Sequence, residues 1–168
     1  MDWVTPIDLY CERTAPGLWN EPLNAWSNLA FPLAAAWAWV TAGKMGQRGP
    51  LIAALCVLAV LIGLGSALFH THANAWSELA DVVPIWSFVA LYVLGAVSVV
   101  GGVPPGRVLR IAAVGAAAAV IVLLATSGDD GAGARADPLN GSGQYAPALV
   151  ALLVFSGITV WRAHPIRF

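Results

Sequence analysis

The chain has 168 residues, of which 59% are hydrophobic and 10% charged, with a formal net charge of −1. Soluble domains carry about 25% charged residues, so this composition, with a mean hydropathy of +0.76, excludes a water-soluble domain and indicates an integral membrane protein. Two cysteines, Cys11 and Cys56, exclude a disulfide framework, and the opening Met1-Asp-Trp-Val-Thr-Pro6 lacks the basic region of a cleavable leader.

In chain order, residues 1–23 form an acidic N-terminal segment broken by Pro6, Pro16 and Pro22. Residues 24–168 read as one helical transmembrane domain. Crossing the hydrocarbon core takes about 20 apolar residues, and five stretches approach that length: 24–43, 51–70, 78–100, 107–126 and 144–161. A basic loop, Lys44 to Pro50, follows the first. A short bend at Thr71–Ser77 separates the second from the third, and Pro84 near the start of the third is tolerable in a first turn. Gly101 to Gly106, with Pro104-Pro105, is a turn. The loop 127–143, with Asp129, Asp130 and Asp137, matches no calcium-loop spacing and reads as a connection. Barrel strands would alternate over about ten residues; the unbroken runs predict an all-α bundle of spanning helices.

Lys and Arg near the helix ends set the orientation. With the N-terminus outside and the C-terminus in the cytoplasm, Lys44, Arg48, Arg107, Arg110, Arg162 and Arg167 fall inside. Only Arg13 and Arg135 fall outside, together with all nine acids. The same arrangement places the N-terminal segment on the side of His70, His72 and Asp81.

The chemistry-bearing stretch is Gly63-Leu-Gly-Ser-Ala-Leu-Phe-His70, followed after the bend by Asp81. Ser66 and His70, four apart, share a helix face, and Asp81 can return to their level on the next helix. An ionisable residue at a membrane edge is a functional-site hypothesis. Histidine is the commonest metal ligand, and a catalytic zinc takes three protein ligands and a water. On spacing alone the plain alternative is an interfacial histidine bonded to water, and it applies more strongly to His72. Asp8, Glu12 and Glu21, with Asn20 or Asn24, could make a hard-cation site or stay solvated. Trp19, Trp26, Trp76 and Trp161 read as interface aromatics.

Two motifs resemble the alkaline ceramidases, a family of seven-helix intramembrane hydrolases. One is Asp8-Leu-Tyr-Cys-Glu12 followed by Trp19-Asn-Glu-Pro-Leu-Asn-Ala-Trp-Ser-Asn-Leu29; the other is Gly63 to His70 with Asp81 and Pro84 after it. The resemblance implies a zinc-dependent amidase that cleaves the N-acyl bond of ceramide or a related lipid within the bilayer. It makes His70 a zinc ligand. It gives Asp81 the role of orienting or deprotonating water, and Ser66 a hydrogen bond near the metal or the oxyanion. It carries Asp8, Glu12 and Glu21 to a calcium site beside the catalytic one, although the N-terminal spacing departs from the family by one extra residue before Cys11. The family's other two zinc histidines lie on a seventh helix, whereas the likeness covers five. His164 falls at the opposite end of the bundle from His70, so this chain is expected to hold part of the site. A non-enzymatic lipid-binding or receptor-like protein on the same scaffold is the alternative. A transporter is disfavoured, since no pair of interrupted helices marks a midplane site.

Overall fold

Every element among the described residues is a helix, in the order α1 (Pro22–Ser27), α2 (Ala30–Lys44), α3 (Pro50–His72), α4 (Ala75–Val99) and α5 (Pro105–Thr126). The computed structural model describes residues 2–8, 11–15 and 18–126, and the helical positions 149–150, 153–154 and 157. The expected helix over 144–161 therefore lies mostly outside the described residues, as do Asp129, Asp130, Asp137, Trp161 and His164. The chain divides into two compact units, Met1–Tyr92 and Val93–Phe168. The first contains α1 to α3 and most of α4.

Among the described residues two helices are long and apolar enough to cross a membrane: α3, with 23 residues and a mean hydropathy of 2.7, and α4, with 25 residues and 2.1. At about 1.5 Å per residue each exceeds a hydrocarbon core of roughly 30 Å. The expected first span is instead two helices, broken at Asn28–Leu29. Pro32 explains the break: it has no N–H to give the Asn28 carbonyl four residues earlier, and its ring crowds that carbonyl. Asn28 O accepts from Phe31 N at 3.2 Å instead.

The bend between α3 and α4 is tighter than the sequence suggests. Helix α3 runs through His72, and Ala73 closes it in the left-handed region (φ 45°) with its N–H on Phe69 O at 2.7 Å. Helix α4 then starts at Ala75 rather than at 78. Asn74 and Ser77 cap it reciprocally: Ser77 N donates to Asn74 Oδ1 at 3.2 Å and Asn74 N to Ser77 Oγ at 3.1 Å. This is the logic of a capping box with Ser in place of the usual Glu.

Proline and glycine are paired twice around α3. A Cβ on Gly63 would lie 2.9 Å from Asn28 O and 2.8 Å from Pro32 Cδ. A Cβ on Gly65 would lie 1.9 Å from Ala80 O, the carbonyl whose helical donor position is taken by Pro84. Each proline thus removes the helical donor to a carbonyl, and each carbonyl faces a bare Cα on α3. Gly65→Ala is accordingly expected to lose at least about 2 kcal/mol through overpacking. Gly49→Ala, with nothing within 4 Å of the new Cβ, serves as the control. Thermal unfolding in detergent checks this, and equal midpoints for the two variants would count against the crossing.

Polar side chains share the buried interior with apolar ones such as Ala35, Ile62, Phe69 and Ala73. The buried polar side chains include Arg13, Glu21, Asn28, Ser66, His70, Ser77 and Asp81, whereas Leu33, Trp37, Leu64 and Val83 are each more than half exposed. The interior of the first unit is where its polar chemistry is concentrated.

Candidate functional site

The N-terminal segment lies directly on the α3–α4 bend. Ile7 N donates to Ala73 O at 2.7 Å, Pro6 bridges to Asn74, and Trp76 N, an otherwise orphan first-turn donor of α4, reaches Trp3 O at 3.3 Å. These backbone bonds hold the acidic segment over the end of α3 that carries His70.

At the centre is Glu21, 1% exposed. Its Oε1 accepts from Arg13 Nε at 2.6 Å and its Oε2 meets His70 Nδ1 at 2.5 Å. Arg13 also donates through Nη2 to the His70 carbonyl at 3.2 Å. A buried carboxylate and a buried guanidinium each need a partner of opposite charge, and here each supplies the other. The imidazole is fixed by the same carboxylate. Holding one ring nitrogen with a carboxylate orients a histidine for bonding through the other, so a metal bond to His70 would be made through Nε2.

Asp81 comes to this corner through the Gly65 crossing, since Ala80 and Asp81 are the α4 residues against which a Gly65 Cβ would press. Ser66 and His70 are near enough to act on its carboxylate electrostatically. Among the described residues Asp81 Oδ1 is nevertheless buried without a hydrogen-bond partner. A buried polar atom left unsatisfied calls for an explanation such as a catalytic role or a bound water or ion. Ser66, His70 and Asp81, spaced 4 and 11 apart in sequence, are all buried, on the facing stretches of α3 and α4 joined at Gly65.

The three acids expected at a calcium site are not gathered. Asp8 is exposed. Glu12 caps α1, accepting from Leu23 N at 2.7 Å and Asn24 N at 3.0 Å, where a carboxylate also suits the helix dipole. Glu21 is committed to Arg13 and His70. Calcium takes six to eight oxygen ligands, and these residues as arranged make no such cage. Among the described residues no three His, Cys, Asp or Glu side chains are grouped closely enough to hold a metal ion. His72 stands apart: it is exposed, with Nδ1 3.2 Å from Leu68 O and its ring edge-on to Trp76 at 5.1 Å.

Arg13 is the residue that sequence reasoning missed, because it read only as one of two outer cations. The available signal was a single arginine eight residues before Glu21 in a short segment next to a helix. Comparison with protein-family models, with curated proteins and with solved structures gives no match.

Proposed function

We propose that the chain is a membrane-embedded hydrolase of the ceramidase type, cleaving the amide bond of ceramide or a related N-acyl lipid. It would sit on five spanning helices with its N-terminus outside and its C-terminus in the cytoplasm. The observation that carries the reading is the corner itself: an imidazole fixed by a buried carboxylate, next to an unsatisfied carboxylate oxygen and a hydroxyl. Two membrane-length helices among the described residues, and large apolar side chains left exposed, support the setting.

His70 is the residue that would hold zinc. A catalytic zinc takes three protein ligands, of which His70 would be one; calcium, if bound, would need Asp8, Glu12 and Glu21 in another arrangement. Zinc, when bound, makes its water acidic and polarises an amide carbonyl. The protein's own part is positional. Glu21 sets the plane of the His70 ring, and Arg13 holds Glu21. Asp81 Oδ1, unsatisfied in the resting corner, orients a water and accepts its proton. Ser66 donates to oxygen, either to the Asp81 carboxylate or to the charge developing on the amide.

A second reading rests on the same geometry. The Arg13–Glu21–His70 tie is satisfied without any metal, which suits a non-enzymatic lipid-binding or receptor-like protein. The purified chain, supplied with zinc and a fluorescent N-acyl sphingoid lipid, separates the two. Zinc that is weakly held and stripped by a chelator is expected in the wild type and less of it in His70→Ala, and any fatty-acid release should be lost with His70. Release retained in His70→Ala would remove the metal-centred reading; lipid bound but uncleaved would favour the second.

A further inference from the structure

A groove of about 360 Å³ opens between α2 and α3, well away from the corner. Its walls are apolar: Ala35, Ala36 and Trp39 come from α2, and Cys56, Val60 and Leu61 from α3. The two alanines keep the floor low. The volume falls within the roughly 300–1,000 Å³ of small-molecule sites. Along α3 its lining runs from Cys56 to Leu61, roughly 13 to 20 Å before His70, so its far end lies toward the N-terminus of the helix.

That end carries a prearranged cation. Arg48 lies with its guanidinium carbon 4.7 Å from the Trp39 ring centre, and its Nε reaches the Trp39 carbonyl at 3.4 Å. Gly43 leaves the seat open, since a Cβ there would fall 2.7 Å from the guanidinium. Arg48 is exposed, and Lys44 ends α2 beside it. The basic loop leads into α3, whose N-cap Gly49 provides no side-chain cap for the first-turn amides. The same Trp39 ring therefore lines the apolar groove and holds a cation over its face.

We propose that this groove binds an anionic glycerophospholipid of the bilayer, with an acyl chain between α2 and α3 and the phosphate at Arg48 and Lys44. Charge complementarity commits the site to that ligand: an apolar slot alone would take any chain, whereas a guanidinium held over Trp39 selects phosphate. Basic sites next to spanning helices draw anionic headgroups in this way. The proposal rests on the membrane placement proposed above, but not on hydrolysis.

The test uses the whole chain, as a Cys11→Ser variant, in nanodiscs of phosphatidylcholine with or without phosphatidylglycerol. Retained lipid is read by native mass spectrometry and groove access by the rate of Cys56 alkylation. Phosphatidylglycerol is expected to be retained preferentially and to slow alkylation. Arg48→Gln should reduce the preference about fivefold, and Ala36→Leu should remove retention by filling the slot. Equal retention of both lipids, or a preference unchanged in Arg48→Gln, would overturn the proposal. So would Cys56 protection that follows protein concentration rather than lipid, which would place a second copy in the groove. A chain that stays out of the bilayer would overturn the membrane placement as well, whereas one that inserts without preference overturns only the lipid site.

Discussion

Glu21→Ala is expected to be the most destabilising single change at the corner, lowering stability by about 3–5 kcal/mol. Removing one member of a buried ion pair leaves the other charge in a poorly solvating place, and that penalty exceeds the worth of the pair itself. Arg13, 8% exposed, would keep its bond to the His70 carbonyl but lose its carboxylate. His70 would lose the acceptor that fixes its ring. Glu21→Gln keeps the shape and one oxygen, so it should be milder than Glu21→Ala. Because the three residues form one network, Arg13→Ala combined with Glu21→Ala should lose less than the two single losses added together. Thermal unfolding in detergent across this cycle gives the answer. A Glu21→Ala midpoint close to wild type would show that the tie does not hold the N-terminal segment down.

Asp81→Asn should behave in the opposite way: equal or greater stability, with hydrolysis reduced at least about 100-fold. Asp81 is 6% exposed, and Oδ1 has no hydrogen-bond partner among the described residues. An unsatisfied buried polar group is unfavourable by about 1–3 kcal/mol, and more when charged. A neutral side chain of the same shape removes the charge without opening a cavity. The same change removes the acceptor for a proton from water. Ser77→Ala is the useful contrast. Ser77 is also fully buried, yet its hydroxyl is used in the α4 cap, so that variant should lose about 1 kcal/mol. Asp81→Asn unfolding well below wild type would mean that the carboxylate is structural, and its assignment to water would fail.

Much of this corner was legible in the sequence because its geometry is written in residues with few other uses. The i, i+4 spacing of Ser66 and His70, followed by Asp81 beyond a bend, needs only helix periodicity to be read. Gly65 and Pro84 also stood in the motif. What they do is visible only in three dimensions, where the carbonyl that Pro84 leaves without its helical donor meets the glycine and sets Ala80 and Asp81 against α3. The break at Asn28–Leu29 was missed because the apolar run continues across it, and hydropathy does not register a missing donor at Pro32. The start of α4 was misplaced by three residues because Asn74 and Ser77 looked like bend residues, whereas they are its cap. Glu21 and Glu12 were assigned to one ion for lack of a reason to separate them. Their actual partners are a guanidinium and an imidazole in one case and two backbone amides in the other, and no spacing rule encodes that choice.

The bond between Glu21 and His70 joins residues 49 apart in sequence, which has a consequence for how the protein is made. Chains emerge at about 5–20 residues per second, so Glu21 waits roughly 2 to 10 seconds before His70 has even been synthesised. Until then the acidic segment has no buried place to occupy. Its docking must therefore follow synthesis of the α3–α4 bend, whose residues Ala73, Asn74 and Trp76 hold it. A nascent chain stalled before the α3–α4 bend would carry residues 1–21 open to protease, and one released past it would not.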